Sequence, residues 1–335
     1  MLLALFGLAL TTPLRGAPPR LSRDEIEVLY LLWLLFAAVA GLRQKGLFVH
    51  LAARLERGRY LASKLVLGTF VLASLVTNDA ALLAAVPLVL ALRNHRAALA
   101  ALLVVAANAG SALTPFGNPQ NLYLYWYYGL SPKTFLLAVL PLGLGFALAL
   151  SLAALALPTA PRRETPVPRL AGPVWPELLA LLIVLLVVLK ILPLSASLAA
   201  LGLLLALNRR AFRVDYGLLL TFAAFFLLVD NLEALLAPRL AHPHSVFALA
   251  VLISQGLSNV PTAILLAPLT ENWRALLWGV NVGGFGTPIA SMANLIAFRI
   301  FTAEADFSER RRFLRYYLFA EVLALLLGGL LWFAF

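Results

Sequence analysis

Cysteine is absent from the 335-residue chain, which excludes disulfides, thiolate metal sites and thiol chemistry. Charge is scarce: Asp, Glu, Lys and Arg make up 12% of the residues, while 62% are hydrophobic. A soluble domain cannot hide that much apolar surface, so the composition specifies an all-α polytopic membrane protein. The four histidines, His50, His95, His242 and His244, fall between apolar runs without metal-ligand spacing, and no metal centre is expected. Neither His-Glu-x-x-His nor Gly-x-Ser-x-Gly occurs, so the zinc-protease and serine-hydrolase signatures are missing and no catalytic residue is expected. The net charge of +11 would suit nucleic acid, but the basic residues sit between apolar spans, where they orient a membrane protein. The expected partners are therefore the lipid bilayer, a small cargo and, as the one protein partner considered, a second copy of the chain, with no nucleic acid.

What the chain does contain is one polar motif written twice, from Asn108 to Asn121 and from Asn281 to Asn294. Asn108, Thr114, Pro115 and Asn121 recur at a constant offset without a gap, Gly110 recurs as Gly283, and Asn118 is replaced by Ser291. Both copies lie inside apolar segments, where polar groups are costly and tend to be functional. Glycine loosens a helix, and Thr followed by Pro is a helix start, with Thr as cap and Pro at the first position. Each copy therefore predicts helix, break and helix within one crossing. From Thr114 the spacing to Asn118 and Asn121 is i, i+4, i+7, which puts the three on one helical face, and Thr287, Ser291 and Asn294 repeat it.

Taken in order, residues 1–12 are apolar but have no Lys or Arg before them and no clear cleavage site after, and are read as a short first span. Ile26–Gly41 follows, then a basic stretch from Arg43 to Lys64. Residues 60–92 form an apolar segment broken by Thr77-Asn78-Asp79. Each arm, roughly 14 residues or about 21 Å, is short of a ~30 Å core. Arg57, Arg59 and Lys64 precede it, and Arg93 and Arg96 follow it. Basic flanks at both ends predict a hairpin that enters and leaves on the cytoplasmic side. The first broken helix, 97–128, ends in an aromatic belt of Tyr123, Tyr125, Trp126, Tyr127 and Tyr128. A span over Phe135–Leu157 returns to Arg162 and Arg163, and the Pro-rich residues 159–176 are the candidate linker.

The second half repeats this plan. Spans are expected at Pro176–Leu192, Pro193–Leu207 and Tyr216–Leu236, the last ending in Asp230, Asn231 and Glu233, read as solvated helix-end groups. A hairpin follows at 245–269 with its tip at Ser258-Asn259, flanked by Arg239 and Arg274, then a broken helix at 273–299 and a final span. The expected organisation is two inverted repeats, 1–158 and 177–335, each with a re-entrant hairpin and a broken transmembrane helix meeting at one shared site.

Hairpin tips with Ser/Thr-Asn and broken helices with Thr-Pro followed by Asn make residues 26–335 resemble the ion-transporter superfamily: arsenite pumps, NhaD-type sodium/proton antiporters, and citrate and divalent-anion symporters. Residues 74–83 are similar to the arsenite and antiporter branch, and Thr114-Pro-Phe-Gly-Asn-Pro-Gln-Asn121 to the bacterial anion-permease branch. The tips depart from the Ser-Asn-Thr of the sodium/dicarboxylate branch. The resemblance implies secondary transport of a small anion across the cytoplasmic (inner) membrane by alternating access, coupled to a sodium ion or proton, with no other cofactor. Arsenite or antimonite efflux, with a neutral oxyacid as cargo, and sodium/proton antiport are the alternatives. Substrate contacts are expected from Asn78, Thr114, Asn118, Asn121, Asn259, Thr287, Ser291 and Asn294. Coupling-ion contacts are expected from Thr77, Asn78, Asp79, Asn108, Ser258, Asn259 and Asn281. Asp79 is the one carboxylate at a hairpin tip and so the candidate proton or cation carrier. Glu321, within the last span, is read as either a proton group or a hydrogen-bonded structural acid.

Overall fold

Leu- and Ala-rich segments favour helix intrinsically, and in an apolar surround only internally bonded backbone is tolerated. In a computed structural model that describes residues 1–55, 60–90, 92, 95–157, 169–235 and 240–335, every α or β element is accordingly an α-helix. In the first half these are α1 (Leu2–Arg15), α2 (Arg23–Gln44), α3 (Leu47–Leu55), α4 (Leu61–Leu75), α5 (Asn78–Leu90), α6 (Arg96–Ser111), α7 (Pro119–Tyr127) and α8 (Pro132–Leu155). The second half holds α9 (Trp175–Val188), α10 (Ser197–Leu207), α11 (Tyr216–Leu235), α12 (Pro243–Leu257), α13 (Asn259–Leu266), α14 (Trp273–Val282), α15 (Met292–Glu304) and α16 (Phe307–Ala334). The starts are capped as sequence rules demand: Ser22 and Glu25 form a capping box on α2, Ser131 precedes Pro132 on α8, and Asp306 caps α16. Only α2, α8 and α16 are long and apolar enough to span a membrane alone among the described residues.

The expected hairpins and broken helices are present. α4 and α5, of 15 and 13 residues, join at Val76–Thr77; α12 and α13 join at Ser258, which takes a left-handed backbone at φ 77°. The chain breaks between α6 and α7 and again between α14 and α15. Packing follows the repeat. α4 lies on α6 as α12 lies on α14, while α5 packs on α15 and α13 on α7. Each hairpin thus leans one arm on its own broken helix and the other on the broken helix of the opposite half. The first contact is intimate: a Cβ at Gly110 would stand 2.0 Å from the Phe70 carbonyl oxygen, so only glycine lets these backbones meet.

Three details differ from expectation. The basic stretch after α2 contains a further helix, α3. The end of α11 is not solvated: Asp230 pairs with Arg15, and buried Asn231 donates to the hydroxyls of Thr11 and Thr12 at 3.0 and 2.9 Å. The reason is α1, which lies along α11 and brings its polar turn against these groups. The Thr-Pro pairs do not open helices, as described below. Most of the expected linker (158–168), the side chain of Glu233, and Arg57, Arg59, Arg93, Arg162, Arg163 and Arg239 lie outside the described residues.

On the α2–α9 contact, Glu177 is fully buried, pairs with Lys45 at 2.7 Å and accepts from Asn208 Nδ2 at 2.6 Å. Removing one partner of a buried pair strands the other charge, so Lys45→Met is expected to cost roughly 3 kcal/mol. Thermal melting of detergent-solubilised protein measures this, with exposed Lys133→Met as a control that leaves the midpoint unchanged. Inverted repeats further predict His95 on the cytoplasmic side and His244 outside. In this cysteine-free chain, single-cysteine replacements at the two positions should react with an impermeant thiol reagent from opposite sides, and reaction from the same side would refute the inversion.

Candidate functional site

A helix that stops inside an apolar medium exposes carbonyls and N–H groups that must find partners. The two breaks solve this identically. Buried Asn121 donates through Nδ2 to the carbonyls of Ser111, Ala112 and Thr114 at 3.2, 3.3 and 3.1 Å. Asn294, at the matching place, donates to Gly284 and Thr287 at 3.0 and 3.1 Å. The hairpin tips dock on the breaks in the same repeated way. The Asn78 N–H donates to Gly117 O at 3.1 Å and the Asn259 N–H to Ala290 O at 2.9 Å. The Thr114 hydroxyl donates to Ser74 O at 2.9 Å and the Thr287 hydroxyl to Gln255 O at 2.8 Å.

These hydroxyl bonds help explain why the Thr-Pro pairs do not start helices. α7 opens at Asn118-Pro119, where the Asn118 side chain accepts the Asn121 N–H at 2.9 Å and Pro119 takes the first position. α15 opens after Ser291, with no side-chain cap. Thr114, Asn118 and Asn121 therefore do not share one helical face, and neither do Thr287, Ser291 and Asn294.

Asparagine amides then tie the halves together. Asn108 Nδ2 donates to Asn294 Oδ1 and Asn281 Nδ2 to Asn121 Oδ1, both at 2.7 Å. Asn78 and Ser291 donate to Asn108 Oδ1, and Asn118 to Asn281 Oδ1, each at 3.2 Å. In the second half, Gln255 adds bonds to Gly283 O, Phe285 O and the Thr287 N–H, and the Glu321 carboxylate accepts the N–H of Gly286, whose φ is 106°. Glu321 thus holds the second break, although its Oε1 is buried without a hydrogen-bond partner among the described residues.

Beside this frame lies a cavity of about 570 Å³. Its polar wall comes from both tips and both half-helix starts: Asn78, Asp79, Gln120, Ser258, Asn259 and Ser291. The facing wall is largely apolar, from α1 and α11. A second cavity of about 240 Å³ is lined by Thr77, Arg43 and Arg299, and Asp79 and Asp215 line both. Among the described residues no Lys or Arg lines the larger cavity. Of the residues expected from sequence, Asn78, Asp79, Ser258, Asn259 and Ser291 line that cavity and Thr77 the smaller one. Asn108, Thr114, Asn118, Asn121, Asn281, Thr287 and Asn294 line neither and are bonded within the frame. Asp79 Oδ1 is buried without a hydrogen-bond partner among the described residues.

Sequence reasoning passed over Asp215, Gln120 and Gln255. Asp215 precedes α11 and accepts the Leu218 N–H at 3.0 Å, so it looks like an ordinary helix cap; only packing shows that it faces Asp79. Gln255 was findable, because it stands to the second tip as Ser74 does to the first.

A family model described as citrate transporter matches residues 1–278. An uncharacterized transporter of Methanocaldococcus jannaschii is 32% identical over 300 residues, covering 82% of this chain and 81% of that protein. Inner membrane protein YbiR of Escherichia coli is 34% identical over 306 residues, covering 84% and 79%. The silicon efflux transporter LSI3 of Oryza sativa is 34% identical over 125 residues, 35% of this chain and 26% of that one.

If Asn121 and Asn294 hold backbone, their loss strands buried carbonyls, each costing about 1–3 kcal/mol. Asn121→Ala and Asn294→Ala should each lower the melting midpoint and the folded yield. Asn121→Asp, which keeps the shape but loses the donors, should do no better. Unchanged melting with lost transport would instead make the two asparagines direct cargo contacts.

Proposed function

The chain belongs to the citrate-transporter family, and on that premise we propose that it is a secondary active transporter of a small oxyacid, working by alternating access in the cytoplasmic membrane. The observation that carries the cargo class is the composition of the larger cavity: amides and hydroxyls from both tips and both half-helix starts, two carboxylates and, among the described residues, no lining Lys or Arg. Amides and hydroxyls suit a cargo rich in oxygen. A bare anion beside Asp79 and Asp215 would be repelled, and burying it without a counter-charge is expensive. The starts of α7 and α15 offer partial positive charge, about half a unit each. The remainder comes from a sodium ion or a proton taken up at Asp79. Binding of cation and anion is then obligatorily coupled, which is the condition for symport. The two inverted repeats supply the alternating motion, each hairpin resting on both halves.

A second reading is favoured by the same lack of lining Lys and Arg among the described residues: a neutral oxyacid, such as arsenous or orthosilicic acid, needs no counter-charge and leaves Asp79 free to carry a proton in exchange. One of the similar proteins is named a silicon efflux transporter.

Equilibrium titration of the purified protein separates the two. Citrate and phosphate are titrated at fixed pH in sodium or in choline, then again at lower pH, alongside arsenous and orthosilicic acids. Coupling predicts that replacing sodium by choline weakens anion binding at least tenfold and that lower pH restores it by protonating Asp79. Asp79→Asn should bind the anion with a weaker dependence on both, because one of the two repelling carboxylates is gone and only Asp215 remains, and should lose ion-driven accumulation in vesicles. Tight anion binding by the unaltered protein that ignores sodium and pH would refute coupling, and binding of the neutral acids alone would select the second reading.

A further inference from the structure

We infer that Gln120 is the residue that selects the cargo, its side-chain amide hydrogen-bonding a hydroxyl or oxo group of the oxyacid in the larger cavity. This inference rests on the transport reading and assigns one contact within it.

Matched polar positions in the two halves are engaged in the frame: Asn108 with Asn294 and Asn281 with Asn121, Thr114 on Ser74 and Thr287 on Gln255. Two residues of the cavity wall break this correspondence. Asp79 stands where the second tip has Val260, and Gln120 stands where α15 has Ala293. Within the repeated tips and half-helix starts both unmatched polar residues therefore come from the first half, and both line the same cavity, where Asp215, outside the repeated motif, joins them.

Gln120 is also unlike the other buried amides. It is 2% exposed, yet its side chain makes no hydrogen bond among the described residues, whereas Asn108, Asn121, Asn281, Asn294 and Gln255 are each bonded. A buried amide without partners is costly, and the amides of the frame all avoid that cost. Its position explains the exception. Gln120 is the second residue of α7, after the Asn118 cap and Pro119, so packing fixes it at a half-helix start on the cavity wall. The Asn259 NH₂ group, also without a hydrogen bond among the described residues, lines the same space.

The chemistry of the contact follows. A neutral amide offers two donors and an acceptor. It serves a hydroxyl, which both gives and accepts, and an oxyanion, which only accepts. A site built to bond an oxygen rejects analogues that leave its polar groups unpaired far more strongly than an apolar pocket rejects a shape change. Gln120 thus sets which oxygens a cargo must present, while Asp79 sets its charge balance.

Four variants test this. Gln120→Leu keeps the bulk and removes both bonding functions; Gln120→Glu keeps the shape, removes the donors and adds charge. With the protein in proteoliposomes and citrate, phosphate, arsenous acid and orthosilicic acid as probes, Gln120→Leu should raise the KM of each transported probe at least tenfold. Gln120→Glu should suppress anions more than neutral acids, because a carboxylate can still accept from a hydroxyl. Because the chain has no cysteine, Gln120→Cys and Ala293→Cys give a second readout even if the leucine variant fails to fold. A small methanethiosulfonate should modify the first and not the second, and any probe the unaltered protein transports should slow the reaction. An unchanged KM and probe ranking in Gln120→Leu, or cysteine labelling at 120 that no transported probe slows or that equals labelling at 293, overturns the inference and leaves the transport reading standing. If the unaltered protein transports none of the four probes, the transport reading fails first and the inference falls with it.

Discussion

A broken helix in an apolar surround must find partners for the backbone it frees, and the structure depends on how that is done. Asn121 and Asn294 each lie three residues into the second half-helix and reach back to the carbonyls of the break. The same two side chains accept bonds from the opposite half, through Asn281 and Asn108. One residue type therefore closes the break and joins the halves. Hydrogen bonds of this kind contribute about 1 kcal/mol each when made and cost more when left open. The frame is consequently rigid, and its amides are committed to it.

That commitment divides the polar residues into two groups. Those that repeat between the halves mostly bond one another, as symmetry allows one partner to satisfy its mate. Asp79 and Gln120 have no counterpart, since Val260 and Ala293 occupy the matching positions, and neither side chain is closed by the frame. The hairpins sit between the two groups. Their tips are fixed to the breaks by the Asn78 and Asn259 N–H groups, yet their side chains reach the cavity. Each tip therefore belongs at once to a frame contact and to the cavity wall.

Much of the architecture was legible in the sequence because the bilayer leaves few choices. Long apolar runs can only be helices, so the hairpins around Thr77 and Ser258 and the broken helices at 97–128 and 273–299 could be placed from apolar length and polar interruption. The repeat of Asn108, Thr114 and Asn121 as Asn281, Thr287 and Asn294 marked where the buried amides meet, and Asp79, the carboxylate at the first tip, lies in the first turn of α5 on the cavity wall. Local rules misled where two were in competition. Thr114-Pro115 and Asn118-Pro119 both satisfy the cap-then-proline pattern, and only the docking of the Thr114 hydroxyl on Ser74 shows which one is free to start α7.

Composition and spacing establish a helical membrane protein whose polar motif occurs twice, and they name the residue types able to bond an oxygen-rich cargo. Which of those residues face the cavity follows from packing alone. An asparagine in an apolar segment reads the same whether it satisfies freed carbonyls or meets a ligand, because both tasks need a buried donor and acceptor. Three-dimensional partners separate the cases: Asn121 has all of its bonds and Gln120, the adjacent residue, has none among the described residues. Asp215 is the same lesson in charge, a helix cap in sequence that packing carries to the side of Asp79, where the cavity has two carboxylates and, among the described residues, no lining Lys or Arg.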